Sequence, residues 1–168
     1  MDALQSRVRV CSDDQAVIIQ VEGRGTMRQS PAIRRFAEQC LDRGVPALWL
    51  DLRRCCHMDS TFIGTLLFLK RAADRRGPGR FAVVSPSPEC GRIMEQIGVA
   101  AVLPILTTAE PPDQAWTVLP EDTHDMQAFQ QCVVKAHQEL ADLGGAAGEP
   151  FRAVARCLAA ELKESNAR

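Results

Sequence analysis

Tyrosine is absent from this sequence, and aromatic residues make up only 5% of its 168 residues. Proteins that bind single-stranded nucleic acid commonly stack the bases on aromatic side chains. The formal net charge of -1 also provides no basic excess for the phosphates of nucleic acid or for anionic lipids. Composition therefore argues against a nucleic-acid partner.

Long apolar segments are missing as well. No apolar run reaches the roughly 18 residues that a membrane-spanning helix needs, and Met1–Arg7 lacks the apolar core of a signal peptide. We therefore expect a cytoplasmic protein without direct membrane insertion. The seven cysteines are odd in number and scattered along the chain, so they do not indicate a disulfide framework.

Strand patterns alternate with helix patterns over the first two thirds of the chain. The predicted elements are strands at 8–11, 16–21, 47–52, 81–84 and 102–106, with helices beginning near Ser30, Thr61 and Ser87. This order, β-β-α-β-α-β-α-β, favours parallel strands joined by right-handed crossovers after an opening hairpin. The sequence therefore predicts an α/β fold with a mixed sheet of four to five strands.

The C-terminal third has a different organisation. Residues 108–121 contain several prolines and are interpreted as a linker between a domain at 1–107 and a helical extension at 122–168. The extension carries two apolar stripes at helical spacing, and each stripe must pack against another surface. The two helices are expected to pack on each other, and the pair then packs either on the α/β domain or on a second copy of the chain. Homodimerisation through these helices is therefore an open alternative. The stripes are Met126, Phe129, Val133, Ala136 and Leu140, then Phe151, Val154, Leu158 and Leu162.

The segment between the buried strand at 47–52 and the next helix has the residues of a switch site. Asp59 or Ser60 is predicted to cap that helix, which places the Ser60 hydroxyl near the free N–H groups of its first turn. A phosphate on Ser60 would add about -1.5 to -2 charges where the helix dipole tolerates anions. Local physics alone favours a cap with no further role, since most serines at a helix start do nothing else.

The run from Met58 to Gly64, Met-Asp-Ser-Thr-Phe-Ile-Gly, resembles the signature of the STAS family of bacterial anti-sigma-factor antagonists. The strand end at Asp51–Leu52, the strand-to-helix step at 84–88 and the closing segment at 97–105 resemble further family landmarks. The resemblance covers residues 5–107. It implies a non-enzymatic, phosphorylation-controlled antagonist that binds an anti-sigma-factor serine kinase, is reset by a PP2C-type phosphatase, and regulates transcription by partner switching.

Carried over by position, the resemblance implies that Ser60 is the phosphorylation site, with Thr61 as the second candidate. The implied partner-binding surface joins the loop at 23–27 to the helix start. Its residues are Gly23, Arg24, Gly25, Thr26, Met27, Asp59, Ser60, Thr61, Phe62, Ile63 and Gly64. Phe62 replaces a glycine of many antagonists, and Thr26 replaces a frequent acidic residue. Phe62 is interpreted either as an altered docking contact or as a core residue.

Other functions have weaker support in the sequence. Cys55-Cys56-His57 lacks the ligand spacing of a zinc site, and Gly23-Arg24-Gly25 lacks the remaining glycine of a dinucleotide fingerprint, so neither a metal nor a cofactor is predicted. His137 is predicted to lie on the polar side of its helix, and no complete nucleophile or acid–base set is present. The alternative function is a constitutive STAS-type scaffold or transporter-accessory subunit in which Ser60 is not phosphorylated.

Overall fold

The architecture is a mixed sheet covered by helices, seen in a computed structural model that describes residues 5–108, 113–122 and 124–168. Within these ranges the strands are β1 (Arg7–Ser12), β2 (Val17–Gly25), β3 (Leu48–Met58), β4 (Phe81–Val84), β5 (Ile105–Leu106) and β6 (Thr117–Leu119). The helices are α1 (Ser30–Asp42), α2 (Ser60–Asp74), α3 (Pro88–Ile97), α4 (Met126–Ala141) and α5 (Gly145–Asn166). The predicted α/β class and the C-terminal helical pair are confirmed.

Among the described residues, the strands form one sheet in the order β5-β4-β3-β2-β1-β6. β1 is antiparallel to both of its neighbours, whereas β2 to β5 are parallel. The strand count within the described ranges is six and not four to five, because β6 comes from the segment predicted as a linker. It pairs with β1 through Val8, Arg9 and Val10.

The main core lies between the sheet and the helices α1 and α2. Because alternate residues of a strand point to the same face, Ile19 and Val21 of β2 are buried together with Leu48, Leu50 and Leu52 of β3. The second face carries a smaller cluster of Cys11, Ala16 and Ile18, against which Trp49 and Trp116 pack. β5 and β6 lie at opposite edges of the sheet.

β2 and β3 extend further than their apolar runs suggest. β3 continues from Leu52 to Met58 and pairs with the end of β2, with irregular register around Glu22 and Gly23. Gly23 has a φ of +78°, a backbone conformation that suits such an irregularity. Gly23 and Gly25 therefore lie in a strand, and the predicted loop is confined to the residues that follow Gly25.

α2 is buried on several sides because it lies between the sheet and α4. Its buried residues are Thr61, Phe62, Ile63, Gly64, Thr65, Leu66, Leu67, Leu69, Ala72 and Ala73. α4 contributes Leu140 to the main core, and α5 packs mainly along α4. The helical pair thus forms a further layer outside α2. No helix in the described ranges is long and apolar enough to cross a membrane.

Candidate switch site at the start of α2

Asp59 fixes the position of the helix start. One of its carboxylate oxygens accepts a hydrogen bond from the Phe62 N–H at 2.8 Å, which caps α2. The other oxygen accepts from the Met27 N–H at 2.9 Å, and the Asp59 N–H donates to the Gly25 carbonyl at 3.1 Å. Asp59 therefore joins the β2–α1 connection to α2, in addition to the capping role that the sequence predicts.

The Ser60 hydroxyl is hydrogen-bonded to a histidine of the C-terminal extension. Its Oγ lies 3.1 Å from Nε2 of His137, and Nδ1 of His137 lies 2.8 Å from the Val133 carbonyl oxygen. A carbonyl can only accept a hydrogen bond, so neutral His137 carries its proton on Nδ1 and Nε2 accepts from Ser60. Two parts of the chain separated by 77 positions meet at this bond.

The prediction that His137 lies on the polar side of its helix is wrong. His137 is only 8% exposed and lies on the face of α4 that contains Cys132, Ala136 and Leu140. In the sequence His137 lies four residues after Val133 and directly after Ala136, close to the apolar stripe of its helix. This position is the signal that could have predicted its burial. The sequence gives no indication that its partner is Ser60.

The structure brings the predicted site residues together but buries several of them. Arg24 and Met27 are exposed, whereas Thr26, Asp59 and Ser60 are partly exposed. The buried members of the predicted surface are Gly23, Gly25, Thr61, Phe62, Ile63 and Gly64. In this conformation the side chains that a partner can reach are therefore mainly those at the edge of the predicted surface. Thr61, at 4% exposure, is much less accessible than Ser60.

Phe62 is a core residue in this structure. It is 0% exposed, and its ring lies where a side chain at Gly25 would be. A Cβ built on Gly25 would stand 2.7 Å from Cε1 of Phe62. The aromatic residue at 62 and the glycine at 25 therefore fit each other, and their packing sets the distance between the end of β2 and α2.

The outer face of α2 is in close contact with α4. A Cβ on Gly64 would lie 2.1 Å from the Ala136 carbonyl oxygen, so the two backbones approach closely at this point. Arg71 of α2 pairs with Glu139 at 3.2 Å and with Asp142 at 3.5 Å. Burial raises the pKa of Glu139, and the charge of Arg71 opposes this effect. The contact thus combines close apolar packing with charge pairs at its far end.

A broad groove of about 1200 Å³ lies on the other side of the β2–α1 connection. Arginine side chains line it, together with Glu22 and Glu121. They belong to Arg7, Arg24, Arg28 and Arg54. Burial opposes ionisation of Glu22, but hydrogen bonds from Arg7 and Arg54 and the charge of Arg9 outweigh it and lower the pKa of Glu22. The groove is basic in balance and adjoins the switch site.

Of the cysteines near the site, Cys55 has the character of a buried structural thiol. Cys55 is buried, and a hydrogen bond with Cys90 and burial raise its pKa, so its thiol stays protonated. Cys56 points to the exposed side of the same strand. Within the described ranges, no group of three or more His, Cys, Asp or Glu residues is arranged to hold a metal ion.

Comparison with known proteins identifies the family. Residues 8–107 match the family model STAS_2, described as "Mlab, STAS domain". Since this match covers more than half of the chain, the protein belongs to the STAS family. The match ends before α4 and α5, and His137 therefore lies outside the family domain. A search of curated proteins gives no match.

Solved structures show the same fold. The anti-sigma factor antagonist SpoIIAA in its unphosphorylated form is 20% identical, with a TM-score of 0.52, and the match covers 64% of this chain and 90% of that one. An anti-sigma factor antagonist from Mycobacterium paratuberculosis is 22% identical, with a TM-score of 0.51 and coverages of 64% and 89%. The Thermotoga maritima protein TM1081 is 20% identical, with a TM-score of 0.54 and coverages of 60% and 86%.

Proposed function

We propose that this protein is a phosphorylation-controlled anti-sigma-factor antagonist, and that Ser60 is the residue whose modification changes its partner. The observation that carries the proposal is the position of Ser60 in a STAS domain. Ser60 is a partly exposed residue in the first turn of α2, directly after the capping Asp59. The proposed partners are an anti-sigma-factor serine kinase and a PP2C-type phosphatase, which together form a partner-switching pathway in the cytoplasm.

Local electrostatics support a phosphate at this position. The first N–H groups of a helix have no partners within the helix, and the helix dipole gives this end a partial positive charge. The Asp59 carboxylate lies beside Ser60 and opposes a second negative charge. The helix end thus tolerates an anion while Asp59 repels it, and a phosphate on Ser60 strongly changes the charge that a partner meets.

The test is phosphorylation by an anti-sigma-factor serine kinase of the native host. With ATP, wild-type protein should gain the mass of one phosphate, and Ser60→Ala should gain none. Thr61→Ser is the matched control: it retains a hydroxyl at the neighbouring buried position and should be modified like the wild type. Phosphate on the Ser60→Ala variant would contradict the assignment of Ser60.

A constitutive STAS-type scaffold or transporter-accessory subunit is the second candidate. The hydrogen bond between Ser60 and His137 favours this second candidate. A serine whose hydroxyl binds a buried histidine has a structural reason to be at this position, even if it is never phosphorylated. In that case affinity capture from the native host should recover a transporter or membrane ATPase equally well with wild type and with Ser60→Glu. Capture of a serine kinase by the wild type alone supports the first candidate.

A further inference from the structure

We propose that the α4–α5 pair is a cover over the switch site, and that the outer face of α2 beneath it is the surface on which a protein partner docks. The pair is held closed in part by the bond between Ser60 and His137. This inference rests on the proposed function, because it adds a control to the modification of Ser60. Ser60 is partly exposed in the closed state, but its hydroxyl is bonded to His137, so a kinase can enclose this hydroxyl only after α4 has moved away from α2.

The first argument is steric. Between Gly64 and the Ala136 carbonyl there is no room even for a methyl group, so a partner cannot insert between α2 and α4. His137 lies 3.1 Å from the Ser60 oxygen, and a phosphoryl group brings three further oxygens to that atom. The closed position of α4 and a kinase-bound Ser60 are therefore alternative states.

The second argument concerns the hydroxyl proton of Ser60. Phosphoryl transfer to a serine requires that a base of the kinase accept the proton of the substrate hydroxyl. In the closed state the proton is donated to Nε2 of His137, whose orientation is fixed by the Val133 carbonyl. His137 therefore occupies the position that the base of a kinase needs.

The third argument is the chemistry of the covered face. Opening exposes apolar residues of α2, so the open state is stable only when another surface replaces α4. α4 presents an apolar stripe followed by the carboxylates of Glu139 and Asp142, which meet Arg71. The partner that fits this face is an amphipathic helix with acidic residues opposite Arg71.

The covering pair also reaches the β2–α1 connection. Met27 is 44% exposed and lines a small apolar groove of about 200 Å³ with residues of both C-terminal helices. The other apolar residues in the groove are Phe129, Val133, Val134, Leu158 and Leu162. Both parts of the predicted partner-binding surface therefore adjoin the C-terminal pair.

Gly64→Ala tests the proposal without changing Ser60 or His137. The new methyl group should force α4 outward, whereas Gly91→Ala in α3 meets no heavy atom of the described residues within 4 Å and serves as control. Cys132 of α4 is 3% exposed and reports opening through its reaction with N-ethylmaleimide, located by peptide mass. We expect its rate to rise by about tenfold or more in Gly64→Ala, which corresponds to a shift of about 1.4 kcal/mol.

Internal references separate opening from unfolding. Cys40 and Cys55 are buried in the main core and should stay unreactive in every variant, whereas exposed Cys157 gives the rate of a free thiol. Ser60→Ala removes the bond to His137 and should raise the Cys132 rate by about threefold to tenfold. Wild-type Cys132 that reacts as fast as Cys157 would overturn the proposal.

The binding of the same variants to the serine kinase, and their phosphorylation by it, are then measured. Gly64→Ala should bind the kinase at least about tenfold more tightly than the wild type and accept phosphate correspondingly faster, whereas Gly91→Ala should match the wild type. An opened Gly64→Ala protein with unchanged kinase affinity would refute the cover. Tighter binding without phosphate on Ser60 would retain the cover and refute the proposed phosphorylation, so the two failures are distinguishable.

Discussion

The fit between Gly25 and Phe62 gives a prediction with a definite energetic signature. A methyl group at Gly25 would lie 2.7–2.8 Å from Cε1, Cδ1 and Cζ of the Phe62 ring, closer than van der Waals contact. Phe62 is fully buried, so its ring has little freedom to move aside. Gly25→Ala should therefore destabilise the protein by overpacking and not through backbone conformation, since Gly25 is not among the positive-φ glycines of the described chain.

The magnitude follows from known core substitutions. Overpacking by one methyl group costs about 1–3 kcal/mol, and we expect about 2 kcal/mol for Gly25→Ala. Phe62→Leu removes the outer ring atoms and should cost roughly 1.5 kcal/mol. In the double variant the new methyl group enters the space left by the ring. We therefore expect a total loss of about 2 kcal/mol and not the roughly 3.5 kcal/mol of additive effects.

Urea denaturation of the wild type, both single variants and the double variant measures this coupling. The free energy of unfolding is compared at a common slope with denaturant concentration, since a changed slope would signal a different unfolding reaction. Additive losses, within about 0.5 kcal/mol, would show that the methyl group and the ring do not compete for one space. Gly91→Ala, with open space at the new methyl group, should change stability little or favourably.

Two further predictions concern carboxylates around α2. Asp59→Ala removes the acceptor for the Phe62 N–H, which caps α2, and the acceptor for the Met27 N–H, so it should lower the free energy of unfolding by about 2–3 kcal/mol. Asp125 only caps α4, so Asp125→Ala should cost about 1 kcal/mol. Equal losses of the two variants in denaturant titrations would contradict the second role of Asp59. Because the pKa of Glu139 is raised, the fold favours its protonated form, and ionisation removes stability as pH rises above about 4.5. Glu139→Gln should therefore be more stable than the wild type at pH 7 and lose this advantage at pH 4, as thermal unfolding at both values would show; lower stability at pH 7 would contradict the burial effect.

The elements with simple periodicity were predictable, whereas contacts made over long sequence distances were not. The parallel core strands and the start of α2 follow from continuous apolar runs and from a capping residue, both of which are local signals. The addition of β6 depends on pairing of three residues with β1, more than 100 positions earlier. Their β-branched run is too short to be recognised as a strand within a proline-rich segment. The apolar residues on all sides of α2, from Thr61 to Leu69, did contain a signal that another layer covers this helix.

The sequence predicted where the candidate site lies along the chain, but it did not predict the contacts that its side chains make. Asp59 and Ser60 stand out because a strand end and a helix start meet there. The burial of Phe62 depends on the absence of a side chain at Gly25, and this relation joins two positions that no local pattern connects. The pairing of Ser60 with His137 requires knowledge of how α4 lies on α2, and apolar stripes alone do not determine a docking angle.

Because β6 is attached to the sheet, α4 remains tethered close to α2 and competes with any partner for this helix. Only six residues separate the end of β6 at Leu119 from the start of α4 at Met126. A detached α4 therefore stays near its own binding face at an effective concentration of the order of millimolar. A rival helix present at micromolar concentration needs an intrinsic affinity for α2 roughly a thousandfold greater than that of α4 to occupy half of the molecules. Lengthening this short connection should lower that threshold without altering a single contact in the closed form.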